Sequence, residues 1–313
     1  KYIFAKTDAQ VDALVQKLKN IPEIAIDTET SSLDVISMNF VGISVSFKKG
    51  EGYYVEARHS AKLKSILEDE RVRKIGHNIK FDWHALYQEG IVLRGIFFDT
   101  MVAAYILNPG GRQYGLDALA FQYFGVSMQK HEELIGKKGA QGQLKMGAVD
   151  PEKVARYSSE DAAITYALYK QLSREIKEKR LEEVFYTIEM PLIEILAKME
   201  RAGISLDAAC LTKMGTRAAK LLHTVEERIY KFAGGSFNLD SPKQLTEVLF
   251  GKLKLATKGI KKTKTGASTA AAELEKLQGK HPIIEPIFEY RELAKLKSTY
   301  IDALPKLVNE KTG

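Results

Sequence analysis

The sequence predicts an α/β domain, a mixed sheet flanked by helices, followed by a mostly α-helical segment. Three observations carry this. Short apolar or alternating runs recur early in the chain, at residues 24–28, 40–47, 53–55 and 72–76. Helix-period stripes separate and follow them, the pattern of a sheet with helices packed on its faces. Beyond about Lys177 the strand-like runs stop and long helical stripes take over. The chain therefore divides into residues 1–177 and 178–313.

Each element has a local reason. Thr7 can cap a helix in which Val11, Leu14, Val15 and Leu18 recur at helical spacing. Ile24, Ala25 and Ile26, just after Pro22, open a buried strand. Residues 40–47 alternate, with Val41, Ile43, Val45 and Phe47 on one face. A Lys-Lys-Gly-Glu-Gly turn at 48–52 returns the chain into a third strand. Ser60 starts a helix carrying Leu63, Ile66 and Leu67, and residues 72–76 make a fourth strand. Asn78 then reads as the N-cap of a helix with Asp82 in its first turns. Phe98-Asp99-Thr100 leads into a helix ending near Asn108-Pro109-Gly110. Residues 125–147 are polar, Gly-rich and aperiodic, and read as a mobile loop region.

Asp150-Pro151-Glu152 is a strong helix start, and Tyr157 and Asp161 come after it at i, i+4 on one face. Val184, Ile188, Leu192, Ile195, Leu196 and Met199 form an apolar stripe with Pro191 as a kink and Gly203 as the stop. A helix over 207–232, a short one capped by Ser241-Pro242, and helices near 270–277 and 284–304 complete the chain.

Composition narrows the function class. The chain has 313 residues, and an apolar fraction of 45% supplies a sizeable core. Its one cysteine, Cys210, excludes an intrachain disulfide and fits a reducing compartment. Neither a signal peptide nor an apolar run long enough to span a bilayer is present. The expectation is a soluble, cytoplasmic, monomeric protein with no membrane partner. The net charge of +7 is uneven: residues 252–264 hold six lysines and no acid. Such a run suits a polyanion, or is a solvated loop. The chain starts without Met and stops in what reads as a turn, so a piece of a longer protein is expected.

Four acids stand out. Asp27 and Glu29 close the first strand and, by strand alternation, emerge on one face. Two adjacent carboxylates repel each other unless a cation sits between them, and Mg²⁺ or Mn²⁺ favours such all-oxygen sites. Asp82 and Asp161 are the other two. Alone, each also reads as an ordinary solvated or helix-terminal acid.

Together, Asp27-Thr28-Glu29, Asn78-Ile79-Lys80-Phe81-Asp82 and Tyr157-x-x-x-Asp161 resemble the three exonuclease motifs of the DEDD superfamily, in its tyrosine subclass. Further stretches are similar to the segment after the exonuclease domain in bacterial family A DNA polymerases. These are Ile188-Glu189-Met190-Pro191-Leu192, Glu200-Arg201-Ala202-Gly203-Ile204, Phe237-Asn238-Leu239, 261–266 and 290–300. The resemblance implies an RNase H-like 3′-5′ exonuclease domain followed by a helical thumb, cut before palm and fingers. The polymerase's own catalytic acids would lie downstream, so this chain alone is not expected to extend a primer.

The resemblance also implies roles. Asp27, Glu29, Asp82 and Asp161 would hold two divalent metal ions (Mg²⁺ or Mn²⁺), and Tyr157 would orient the attacking water. Thr28, Leu33 and Asn78 would touch the terminal nucleotides, with His131 where relatives often place an aromatic residue. Single-stranded 3′ ends of DNA would enter this site. Duplex DNA would lie along the thumb, gripped by Lys258, Lys261, Lys262, Lys264, Arg291, Lys295 and Lys297. The alternatives are an inactive DNA-binding or scaffold domain and an RNA-trimming exonuclease of the same superfamily. The full set of acids and the thumb-like half weigh against them.

Overall fold

The computed structural model describes residues 1–137, 139, 142–263 and 266–313. It divides into two compact units, Lys1–Gly203 and Ile204–Gly313.

In the first unit, β1 (Tyr2–Ala5) precedes α1 (Asp8–Leu18). The helix opens on a reciprocal cap: the Gln10 N–H donates to the Thr7 hydroxyl, and the Gln10 side chain accepts from the Thr7 backbone. Val11, Leu14, Val15 and Leu18 are buried, as their spacing predicts. Then come β2 (Glu23–Thr30), β3 (Phe40–Lys48) and β4 (Glu51–Glu56). Where the sequence suggests one helix from Ser60, the chain forms α2 (Ala57–Ser60), a 3-10 turn and α3 (Lys64–Leu67). The order continues with β5 (Arg73–Gly76), α4 (Ile79–Gln88), β6 (Ile96–Asp99), α5 (Thr100–Leu107), α6 (Leu116–Phe124) and α7 (His131–Ile135). The long α8 (Pro151–Glu178), a π-helical stretch at 184–189 and α9 (Met190–Ala202) complete the unit.

The strands form one mixed six-stranded sheet in the order β1-β4-β3-β2-β5-β6. β2, β3 and β4 pair antiparallel, while β1–β4, β2–β5 and β5–β6 pair parallel. Two strands escape the sequence reading. β1 and β6 are four residues each, too short for alternation to mark them.

β3 also differs from expectation, because both of its faces are covered. Ile43 and Val45 join the main core, while Ser44 and Ser46 are fully buried on the other face. Small residues there let α8 lie close to the sheet, and Gly52 on β4 sets the limit: a Cβ added to it would overlap the Ser159 carbonyl oxygen.

Residues 125–147, expected to be a mobile loop, instead contain α7 and a 3-10 turn at 146–148. Leu134, Met146 and Val149 are buried with Tyr54 and Val154, and Tyr157 packs against this cluster. Three apolar anchors spread through a polar stretch have no period for a sequence reading to detect.

The second unit contains α10 (Ala208–Ala233), α11 (Pro242–Thr246), the paired strands β7 (Lys262–Thr263) and β8 (Gly266–Ala267), α12 (Ala271–Glu275) and α13 (Ile284–Leu296). Val225, Ile229, Leu249, Leu274, Ile284 and Ile287 belong to a core of its own. By packing, the division falls at Gly203 rather than at 177/178. Phe185, Met190, Ile193 and Ala197 join the first unit's core, and the Phe185 ring lies 4.6 Å from that of Phe98. Among the described residues no helix is long and apolar enough to cross a membrane.

Candidate active site

β2 runs through Glu29 to Thr30, past the predicted strand end, so both of its acids are held on regular backbone. Alternation turns Asp27 and Glu29 to the same side, and α8 packs across β2, β3 and β4. Asp161 reaches the pair from α8. One carboxylate oxygen from each of Asp27, Glu29 and Asp161 lies within 4.8 Å of the others. Glu29 and Asp161 are buried; Asp27 is half-buried.

Two serines brace this cluster. Ser44 donates to the Ser158 carbonyl at 2.7 Å. Ser158 Oγ stands 3.2 Å from Asp27 Oδ2 and 3.0 Å from Ser44 Oγ, with one proton to share between them. The fourth acid, Asp82, comes from the first turn of α4. Its Oδ1 accepts both the Thr28 N–H at 2.8 Å and the Thr28 hydroxyl at 2.7 Å. Both bonds fall on one oxygen.

Electrostatics make the group costly when no cation is bound. Burial pushes the Asp27 carboxyl up to about 7, with the Ser158 hydroxyl pulling the other way. Glu29 is raised well above the usual carboxylate range by burial and then by Asp27 and Asp161. Burial and the charge of Asp27 likewise raise Asp82 and Asp161. Burial and the neighbouring Asp161 push the Tyr157 hydroxyl far above its ordinary value, and that hydroxyl is hydrogen bonded to Asp161. The arrangement is an all-oxygen, hard donor set that fits a small divalent cation.

A cleft of about 490 Å³ opens over these groups, lined by Asp27, Thr28, Glu29, Leu33, Phe81, His131, Lys145, Tyr157 and Asp161 among others. Leu33 is 84% exposed at its rim. The His131 and Tyr157 rings lie 6.4 Å apart, centre to centre. A larger groove of about 910 Å³ on the same unit carries none of the four acids, so size alone does not find the site.

Comparison with known proteins now bears on this geometry. The model of the 3′-5′ exonuclease family matches residues 2–177, and that of DNA polymerase family A matches 208–313. The chain belongs to the 3′-5′ exonuclease family of family A DNA polymerases. It is 38% identical to DNA polymerase I of Chloroflexus aurantiacus over 96% of its own length and 33% of the relative's. It is 39% identical to DNA polymerase I of Synechocystis sp. over 98% of its length and 32% of the relative's. The chain thus spans about a third of these curated relatives. Among solved structures it is similar to the POL domain of Pol1 from M. smegmatis in complex with DNA primer-template and dNTP. That match has a TM-score of 0.83 at 26% identity, covering 99% of this chain and 51% of the other.

Not every residue predicted for this exonuclease-family site sits as the sequence suggests. Asn78 occupies the N-cap position of α4, but in a left-handed conformation (φ 62°) and without a side-chain cap bond. Asp99 supplies the cap instead, accepting the Ile79 N–H at 2.7 Å. Neither Asn78 nor Asp82 is among the residues lining the cleft. The Thr28 hydroxyl is engaged with Asp82.

In the second unit, Lys258, Lys261, Lys262 and Lys295 are exposed, and Lys264 lies outside the described residues. Arg291 is half-buried and donates to the Thr269 carbonyl at 2.6 Å, and burial lowers its pKa. Lys297 pairs with Asp302 at 2.5 Å. Those two cations already have partners within the unit, a fact no spacing of basic residues reveals.

The sequence reading missed Ser44, Ser158, Asp99 and Lys145. Ser158 was within reach, since it occupies one of the three variable positions between Tyr157 and Asp161. Asp99 carried a cap signature: an acid after an apolar strand and before a helix.

Proposed function

We propose that this chain is a metal-dependent 3′-5′ exodeoxyribonuclease that removes 3′-terminal nucleotides from DNA as nucleoside monophosphates. It would serve as the proofreading part of a polymerase I-type protein acting in replication and repair in the cytoplasm. The observation that carries this reading is the convergence of Asp27, Glu29 and Asp161 within 4.8 Å in a chain matching the exonuclease family.

Two divalent ions, when bound, supply a hydroxide nucleophile, neutralise the phosphorane-like transition state and stabilise the departing 3′-oxyanion. Asp27, Glu29 and Asp161 would hold one ion. Asp27 would also face the second, with Asp82 acting on that ion's water shell. Tyr157 orients the attacking water by a hydrogen bond. With its pKa pushed far up by burial and Asp161, it does not act as the base at neutral pH. Leu33, at the cleft rim, would wedge beside the last base, and His131 would support that base from the other side. A 3′ end must be unstacked to reach buried acids. A mispaired end unstacks at lower cost, which favours its removal. By sequence, residues 1–177 would be the exonuclease and 178–313 the start of a thumb, although 178–203 pack with the first unit. On the thumb, Lys258, Lys261, Lys262 and Lys295 would grip duplex phosphates without reading sequence.

The test is degradation of a 5′-labelled single strand by the purified chain in Mg²⁺, with chelator and Asp161→Ala as arms. A shortening ladder that both arms abolish is expected. A ladder that persists in Asp161→Ala would sink the assignment. Faster cleavage of matched RNA would move the substrate class to RNA.

A further inference from the structure

Asp99 is a fully enclosed carboxylate that the catalytic reading leaves unused. It ends β6, opposite Gly76 at the end of the neighbouring β5, and is 1% exposed. Its Oδ1 accepts the Met101 and Val102 N–H groups at 2.8 and 3.0 Å, which caps its own helix α5. Its Oδ2 accepts the Ile79 N–H at 2.7 Å, and the Asn78 N–H also hydrogen bonds to the Asp99 carboxylate. One side chain therefore satisfies the first amides of two helices. The next residue adds a second tie: the Thr100 hydroxyl donates to the Gly76 carbonyl at 3.2 Å and faces His77 Nδ1 at 2.8 Å.

These contacts matter because the turn they brace is unfavourable by itself. Asn78 sits at φ 62° with no cap bond of its own. Gly76 is so close to Ile79 that a Cβ on it would lie 2.6 Å from the Ile79 Cβ. The turn leads directly into the first helical turn of α4, where Asp82 meets Thr28 of β2. We infer that Asp99 is a positioning residue for Asp82: its bond to the start of α4 fixes that helix against β2, and so holds the Asp82 carboxylate on Thr28, beside Asp27. The inference rests on the reading of Asp82 as a metal-site acid.

Asp99→Asn tests it. The amide keeps one acceptor for α5 but turns a donor, or a single shared oxygen, towards the Ile79 N–H. Expected first is faster hydrogen exchange at the Ile79 amide, while amides in the middle of α8 keep their protection. Expected second is Mn²⁺ binding, followed by electron paramagnetic resonance, weakened at least fivefold. The third expectation is a cycle: in an Asp82→Ala background, Asp99→Asn changes the Mn²⁺ titration less than twofold, since a residue acting through Asp82 has nothing left to aim. Leu18→Ala, a core truncation on α1, is the stability control and leaves Mn²⁺ binding within twofold of the parent. If Asp99→Asn weakens Mn²⁺ binding equally in both backgrounds, or no more than Leu18→Ala does, the positioning role is wrong. If Asp82→Ala alone leaves Mn²⁺ binding and cleavage unchanged, the reading of Asp82 fails instead.

Discussion

Replacing Asp27 by Asn should make the metal-free protein more stable while abolishing its nuclease activity. Burial raises the Asp27 carboxyl from its ordinary 3.8 to about 7. An acid whose pKa is higher folded than unfolded opposes folding, because the folded state must either retain a proton or bury a charge. The penalty is absent below the ordinary value, grows through the window from about 4 to 7, and is complete above it. At about 1.36 kcal/mol per pH unit it amounts to roughly 2 kcal/mol at pH 5 and roughly 4 kcal/mol at pH 8. Asn keeps the shape and can still accept from Ser158, so most of that penalty is removed. In a unit of this size each kcal/mol moves Tm by about 2–4 °C, so a rise of about 8–16 °C is expected at pH 8, and about half as much at pH 5.

Trp83 makes the measurement specific. It is the chain's single tryptophan, buried in α4 beside Asp82, so its fluorescence follows the unfolding of the first unit. Melts in chelator at pH 5 and 8 give the comparison. Added Mg²⁺ should then narrow the gap at pH 8 and close it at pH 5: at a hundredfold excess over Kd the parent gains about 2.7 kcal/mol, and the variant much less. Equal melting temperatures at pH 8 in chelator, or a gain independent of pH, would refute the reasoning.

The geometry leads to three other outcomes. Tyr157→Phe should lower kcat far less than Asp27→Asn, by roughly fivefold, because it removes a water-orienting bond worth about 1 kcal/mol and no acid; single-turnover rates on a labelled strand check this, and a loss equal to that of Asp27→Asn contradicts the assigned role. Gly52→Ala should destabilise the first unit by about 1–3 kcal/mol, because its Cβ overlaps the Ser159 carbonyl and pushes α8 from the sheet. It should also weaken Mg²⁺ dependence through Asp161, and unchanged Mg²⁺ half-saturation would rule that coupling out. Replacing Lys258, Lys261 and Lys262 by Ala should flatten the salt dependence of duplex binding by about 0.9 in log–log slope per lost phosphate contact, with single-strand cleavage unaffected; an unchanged slope in fluorescence anisotropy would leave them as solvated side chains.

Most of the fold was legible because the elements carry strong local signals. The Thr7 cap, the alternation of β3, the Asp-Pro start of α8 and the Gly203 stop all act within a few residues. The parts that escaped are set by partners distant in sequence. β1 is a strand because it can pair with β4, and α7 and the 3-10 turn at 146–148 are anchored because Leu134, Met146 and Val149 meet Tyr54 and Val154. The packing of 184–202 with the first unit is of the same kind: the apolar stripe was visible, but its neighbour Phe98 was not.

The site divides along the same line, for a chemical reason. Residues whose chemistry is unusual announce themselves: four acids in three motifs, one with a tyrosine at helical spacing, are hard to explain as surface polarity once taken together. The residues that make those acids bearable do not, since Ser44, Ser158 and Thr28 are ordinary in composition and gain meaning only from 2.7–3.2 Å contacts. Asn78 makes the contrast sharpest. Its identity fits an N-cap, yet a cap needs an extended backbone and a side chain turned back on the helix. With Asn78 left-handed and Gly76 close against Ile79, the cap passes to Asp99 on the next strand. A helix that carries a proposed metal-site acid is thus braced from the neighbouring strand. That leaves α4's orientation dependent on β6, and it makes Asp99 the residue where a loss of fold precision would first register at Asp82.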